Sequence, residues 1–228
     1  MGSLLRGVDD FLRGRGSFAS GAKAAGRLRW LLGAVLIGGG AYGVVMGTFS
    51  GLGPGRYHQL LYSGLKVPLL LMVSFGLCLP TFAVLNTLAG LRDDFGDALR
   101  AVVATQSGVA ICLLSLAPFT ALFYASCADY PAALLFNGLV FGIAWLAGQV
   151  VARRYYGVLI RRNPTHRTML YAWLVLYVFV GMQMAWVLRP FVGNPDSPVT
   201  FFRADAWGNA YMTVGRLVWS VLRGIVGG

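Results

Sequence analysis

Charged residues divide this chain into blocks. Between them stand five runs free of Asp, Glu, Lys, Arg and His: Trp30 to Phe49, Val67 to Gly90, Ala101 to Tyr124, Ala132 to Ala152 and Thr168 to Leu188. A helix needs roughly 20 apolar residues to cross the hydrocarbon core of a bilayer. A transmembrane barrel strand needs about half that number, so runs of this length predict helices. The expected fold is all-α: a polytopic bundle of five transmembrane helices.

Both ends of the chain read differently. Leu4, Leu5, Val8, Phe11 and Leu12 recur at helical spacing, with Arg6, Asp9, Asp10 and Arg13 on the other face. This pattern predicts an amphipathic helix lying in the membrane interface, and no small-residue cleavage site follows it. From Trp207 to Val226, Asn209, Thr213, Arg216, Ser220 and Arg223 form a polar stripe along an otherwise apolar helix. An arginine at the bilayer centre costs about 2.5–3.5 kcal/mol on insertion scales. A second amphipathic helix, on the outer surface or against the bundle, is therefore preferred to a sixth span. The organisation expected is a cytoplasmic segment over 1–28, the bundle over 29–189, and an outer loop with the C-terminal helix over 190–228. The aromatic and proline-rich stretch from Pro190 to Asn209 is expected to fold over the outer mouth.

Composition agrees with the pattern. Hydrophobic residues make up 57% of the 228 and charged residues 12%, against roughly 45–50% and 25% in soluble domains. The net charge of +11 sits at the ends of apolar runs rather than on a basic domain, which excludes nucleic acid as the expected partner and favours anionic headgroups. The absence of Glu and the Arg-, Gly- and Ala-rich bias fit a GC-rich bacterial genome. Thirteen Lys and Arg fall on the side of the N-terminus and six on the other, so the N-terminus is expected in the cytoplasm and the protein in the inner (plasma) membrane.

Several features could carry function. Gly39, Gly43, Gly47 and Gly51 stand four apart, and Gly138 and Gly142 repeat the spacing. Such faces let helices approach closely, either within this chain or in an oligomer or partner complex. Asn86, Gln106, Asn137, Gln149 and Gln183 are the strongly polar groups inside the apolar runs. They are expected to bond across helices, with a polar path as the alternative. Arg153, Arg154, Arg161 and Arg162, interleaved with Tyr155 and Tyr156, read as a loop that sets topology, its tyrosines at headgroup level. The alternative is a dock for anionic lipid or an acidic partner.

Asp93, Asp94 and Asp97 form a DDxxD pattern that in membrane prenyltransferases holds magnesium against a diphosphate. No second acidic motif pairs with it, so helix capping by Asp94 or Asp97 and ion pairing with loop arginines are expected instead. His58 and His166 read as loop residues on opposite sides, unsuited to haem. Cys78, Cys112 and Cys127 lack metal-ligand spacing and are expected to be free thiols. No metal or other cofactor is expected.

In layout, over roughly Arg29 to Leu188, the chain resembles the Yip1-type five-helix membrane proteins, although their Asp-Leu-Tyr-Gly-Pro type sequence is missing. The resemblance implies a non-enzymatic scaffold that acts through helix–helix contacts. The expected function is thus a non-catalytic scaffold or accessory subunit, with a membrane-protein partner or a homo-oligomer. An oligomeric channel or small-solute permease is the alternative, and a magnesium-dependent lipid- or prenyl-modifying enzyme a second one.

Overall fold

A computed structural model describes residues 8–9, 22–51, 53, 55–194, 198–202 and 211–212. Most of the expected N-terminal helix and nearly all of Trp207 to Val226 lie outside the described residues. Within them the chain is helical and contains no strand. The helices are α1 (Ala22–Gly47), α2 (Tyr57–Leu88), α3 (Phe95–Ser126), α4 (Tyr130–Arg162) and α5 (Thr165–Val187). All five are long and apolar enough to cross a membrane.

The helices overrun the apolar runs at their charged ends. The 32 residues of α2 make a rod of about 48 Å at 1.5 Å per residue, against about 30 Å of hydrocarbon. Arginine and lysine are good helix formers, so a charge marks where the core ends but not where the helix ends. Two expectations change as a result. Arg153 to Arg162 is the end of α4 rather than a loop. Tyr155 and Tyr156 are buried between helices rather than displayed on a loop.

Glycines bring α1 and α2 into backbone contact. A Cβ on Gly43 would overlap the Ser63 carbonyl oxygen, and one on Gly47 would stand 2.8 Å from Leu60 Cα. Gly39 faces the Pro68 backbone at 3.4 Å. Three glycines of the stripe are thus used against this chain's own second helix. Gly51 is not part of that packing, because the helix has ended. A 3₁₀ turn at Thr48–Ser50 intervenes, and Gly51 takes the left-handed φ of 89° that closes it.

Helix α3 fills the centre. Every residue from Ala101 to Ala110 is buried, and its small side chains (Ala, Ser, Gly, Thr) let the neighbours come near. Two clusters form the core. One, built on Phe82, Val102, Tyr156 and Trp173, lies toward the α2–α3 and α4–α5 turns. The other, built on Tyr42, Val67, Leu113 and Val140, lies toward the opposite end. The outward surface stays apolar, with Ile37, Leu88 and Leu135 each more than 70% exposed. Water would penalise such a surface; lipid does not.

Candidate functional site

Several polar groups inside the bundle are held in bonds between helices. Tyr42 in α1 donates from its hydroxyl to Asn137 Oδ1 in α4 at 2.9 Å, and Asn137 Nδ2 donates to Tyr124 in α3 and to the Ala133 carbonyl. Tyr177 in α5 donates to Gln106 Oε1 in α3 at 2.8 Å. Ser107 reaches the Leu31 carbonyl at 3.0 Å, and Arg27 reaches the Tyr155 hydroxyl at 3.1 Å. Asn86 departs from the expectation, bonding to the Phe82 carbonyl of its own helix at 2.8 Å. Gln149 and Gln183 are half-buried.

At the end where α4 turns into α5, Asp94 and Asp97 meet Arg162. Asp97 pairs with Arg100 at 2.7 Å and Arg162 at 3.2 Å; Asp94 pairs with Arg162 at 3.5 Å. The expected ion pairing is present, but the expected cap is not. Asp94 occupies the N-cap position of α3 without a side-chain capping bond, because its carboxylate is turned to Arg162 and His166. His166 is a correction as well. It lies in the first turn of α5, fully buried, with Nε2 3.1 Å from Asp94 Oδ2. Asp93 is exposed. Among the described residues no three His, Cys, Asp or Glu gather as metal ligands. The three cysteines are free.

The arrangement at the opposite end has no counterpart among the expected sites. Lys66, just ahead of the second apolar run, lies nine residues past the start of α2 and is fully buried. Its Nζ donates to the Pro190 carbonyl at 2.6 Å and lies 5.0 Å from the centroid of the Phe201 ring. One and two turns earlier, Ser63 and Gln59 both donate to the Phe191 carbonyl. Arg56 donates to the Asn194 carbonyl at 3.2 Å. From α4, Tyr130 reaches the Val192 carbonyl at 3.5 Å.

Residues 190–194 therefore form a strap, buried at Val192 and Gly193, whose carbonyls are met by one face of α2. Non-helical backbone inside a bundle needs such donors, since an unsatisfied carbonyl away from water costs several kcal/mol. Gly193 has no room for a side chain: a Cβ there would stand 2.8 Å from Gln59 Cγ and Ser50 Cβ. The sequence does carry a signal for this stripe. Arg56, Gln59, Ser63 and Lys66 are polar at helical spacing just ahead of the Val67 run.

The strap closes one end of a trough between α4 and α5. The two helices meet at Asn163–Pro164, where Tyr156 and His166 lie edge to face at 6.3 Å, and the gap lies farther along. Its deeper part, about 750 Å³, is lined by Leu70, Leu71, Val109, Phe141, Trp145 and Tyr177, with Gly138, Gly142 and Gly181 in its walls. The part beneath the strap, about 540 Å³, adds Tyr130, Asn137, Arg189 and Pro190 to Val192. Leu70, Gly138 and Phe141 line both parts. Gly138 and Gly142, expected to be helix-packing positions, have nothing among the described residues within 4 Å of where a Cβ would be. They open the trough instead.

No family model, curated protein or solved structure matches the chain.

Proposed function

We propose that this chain is a multi-pass protein of the inner (plasma) membrane, crossing it five times between a cytoplasmic N-terminus and an outer strap. In this reading it serves as a non-catalytic scaffold or accessory subunit. The carrying observation is the filled centre. Ten consecutive residues of α3 are buried, and Gln106 and Asn137 are engaged in bonds that join helices. A bundle so plugged and cross-linked has its free surface facing lipid, where contact with other helices and lipids is the available activity. The Yip1-type layout points the same way. The thirteen-to-six distribution of Lys and Arg supports the orientation.

Extraction from native membranes in mild detergent, followed by affinity capture and mass spectrometry, tests the role. A stoichiometric membrane-protein partner or a homo-oligomer is expected. A lone monomer, together with solute flux through it in liposomes, overturns the reading.

A further inference from the structure

We propose that Arg153 and Arg161, with Gly157 between them, form a binding site for the phosphate of one anionic phospholipid in the cytoplasmic leaflet. This rests on the membrane reading above and names a ligand for it. Leu146, Val150, Arg153, Gly157 and Arg161 follow one another at intervals of three and four in α4, so they share one face of the helix. That face is turned away from the bundle: Leu146 is 60% and Val150 48% exposed, and both arginines are exposed. It changes from apolar to basic within one turn, where the apolar run ends. A lipid changes from acyl chain to phosphate over a similarly short distance.

Side chains on a helix tilt toward its N-terminus, which for α4 is toward the membrane. Arg161 does so: its Nη1 lies 3.7 Å from where a Cβ on Gly157 would be, and nothing else among the described residues is within 4 Å of that point. The guanidinium therefore covers the glycine one turn back. Arg153 is one turn farther, about 6 Å along the axis at 1.5 Å per residue. With no side chain on Gly157, nothing of α4 stands between the two arginines, and a guanidinium takes phosphate oxygens with parallel donors.

The neighbouring arginines are already compensated. Arg162 pairs with Asp94 and Asp97, and Arg100 with Asp97. Arg153 and Arg161 have no carboxylate partner and no hydrogen-bond acceptor among the described residues. Their charge is open to an anion from outside the chain. An acidic protein in the cytoplasm would meet the arginines alone, whereas a lipid also lies along Leu146 and Val150.

Purified, delipidated protein titrated with phosphatidylglycerol or phosphatidylcholine, with adducts counted by native mass spectrometry, tests the site. One saturable phosphatidylglycerol per chain is expected, retained in an excess of inorganic phosphate. Arg153→Gln and Arg161→Gln should each weaken that adduct about tenfold or more, the loss of one charge-assisted interaction. Both should leave phosphatidylcholine adducts unchanged. Gly157→Leu keeps every charge but puts a side chain between the arginines, and should weaken the adduct comparably. Only the Arg161 guanidinium borders that position among the described residues, so the melting temperature of Gly157→Leu should be at or above wild type. Arg92→Gln removes an exposed arginine between α2 and α3 and should leave the adduct as it is. Equal affinity for both lipids, an undiminished adduct in any of the first three variants, or an equal loss in Arg92→Gln overturns the proposal. So does displacement of the lipid by inorganic phosphate or by a co-purified acidic protein. The scaffold reading is decided separately, by whether a partner or oligomer is captured.

Discussion

Lys66 and Pro190 are joined by a 2.6 Å hydrogen bond from the lysine Nζ to the proline carbonyl, across 124 positions of sequence. It is one of a series in which α2 holds the strap, the others coming from Arg56, Gln59 and Ser63. Lysine suits the role because its long stem lets the ammonium reach a carbonyl from the helix, while the Phe201 ring covers it in a cation–π contact.

Removing the middle of that series should release the strap. In Gln59→Leu with Ser63→Ala, the Phe191 carbonyl loses both donors. An unsatisfied buried acceptor costs about 1–3 kcal/mol, so the melting temperature in detergent should fall. A cysteine placed at the buried Val192 should become reactive to maleimide. Unchanged melting and an unreactive thiol would show that the strap is held some other way.

The α1–α2 crossing gives a contrast between glycines. Gly43→Ala forces a Cβ into the Ser63 backbone, and overpacking of this kind costs typically 1–3 kcal/mol. Gly33 and Gly76 have nothing among the described residues within 4 Å of an added Cβ, and alanine is the better helix former by about 1 kcal/mol. Thermal melts should rank Gly43→Ala well below wild type, with Gly33→Ala and Gly76→Ala at or above it.

At the α4–α5 turn, the two kinds of charged contact should differ in weight. Arg100 and Asp97 are partly exposed, at 42% and 22% of their side chains, and pairs of this kind contribute about 0–1 kcal/mol. Arg100→Gln should therefore change melting little. Asp94→Ala leaves the fully buried His166 without its Nε2 partner, at about 1–3 kcal/mol. Because Arg162 engages both Asp94 and Asp97, melting should be the same with magnesium or with a chelator. A magnesium-dependent rise would revive the diphosphate reading of Asp93, Asp94 and Asp97.

The five helices were legible because nothing but a long apolar block needs to be read to find them. Their ends were not, since Arg100, Arg153 and Arg162 continue helices that leave the apolar zone. Gly43 and Asn137 were recognised as contact-makers, but which helix they meet depends on the fold: α2 for Gly43, α1 and α3 for Asn137. The role of Lys66 was not legible because its partner, a backbone carbonyl far along the chain, leaves no trace in composition. The trough escaped notice for a related reason. Gly138 and Gly142 carry the same spacing as the packed glycines of α1, and only the splay of α4 from α5 separates a contact from a gap.

The outer placement of the strap and the scaffold reading depend on five crossings with the N-terminus inside, and one labelling experiment tests that directly. Cys127 lies between α3 and α4 and is a free thiol; Asp93, exposed between α2 and α3, can be replaced by cysteine. With Cys78 and Cys112 changed to alanine, a membrane-impermeant maleimide should label Cys127 in intact cells. It should label Asp93→Cys, in a Cys127→Ser background, only after the membrane is opened. The reverse pattern, or labelling of both without permeabilisation, would contradict the account.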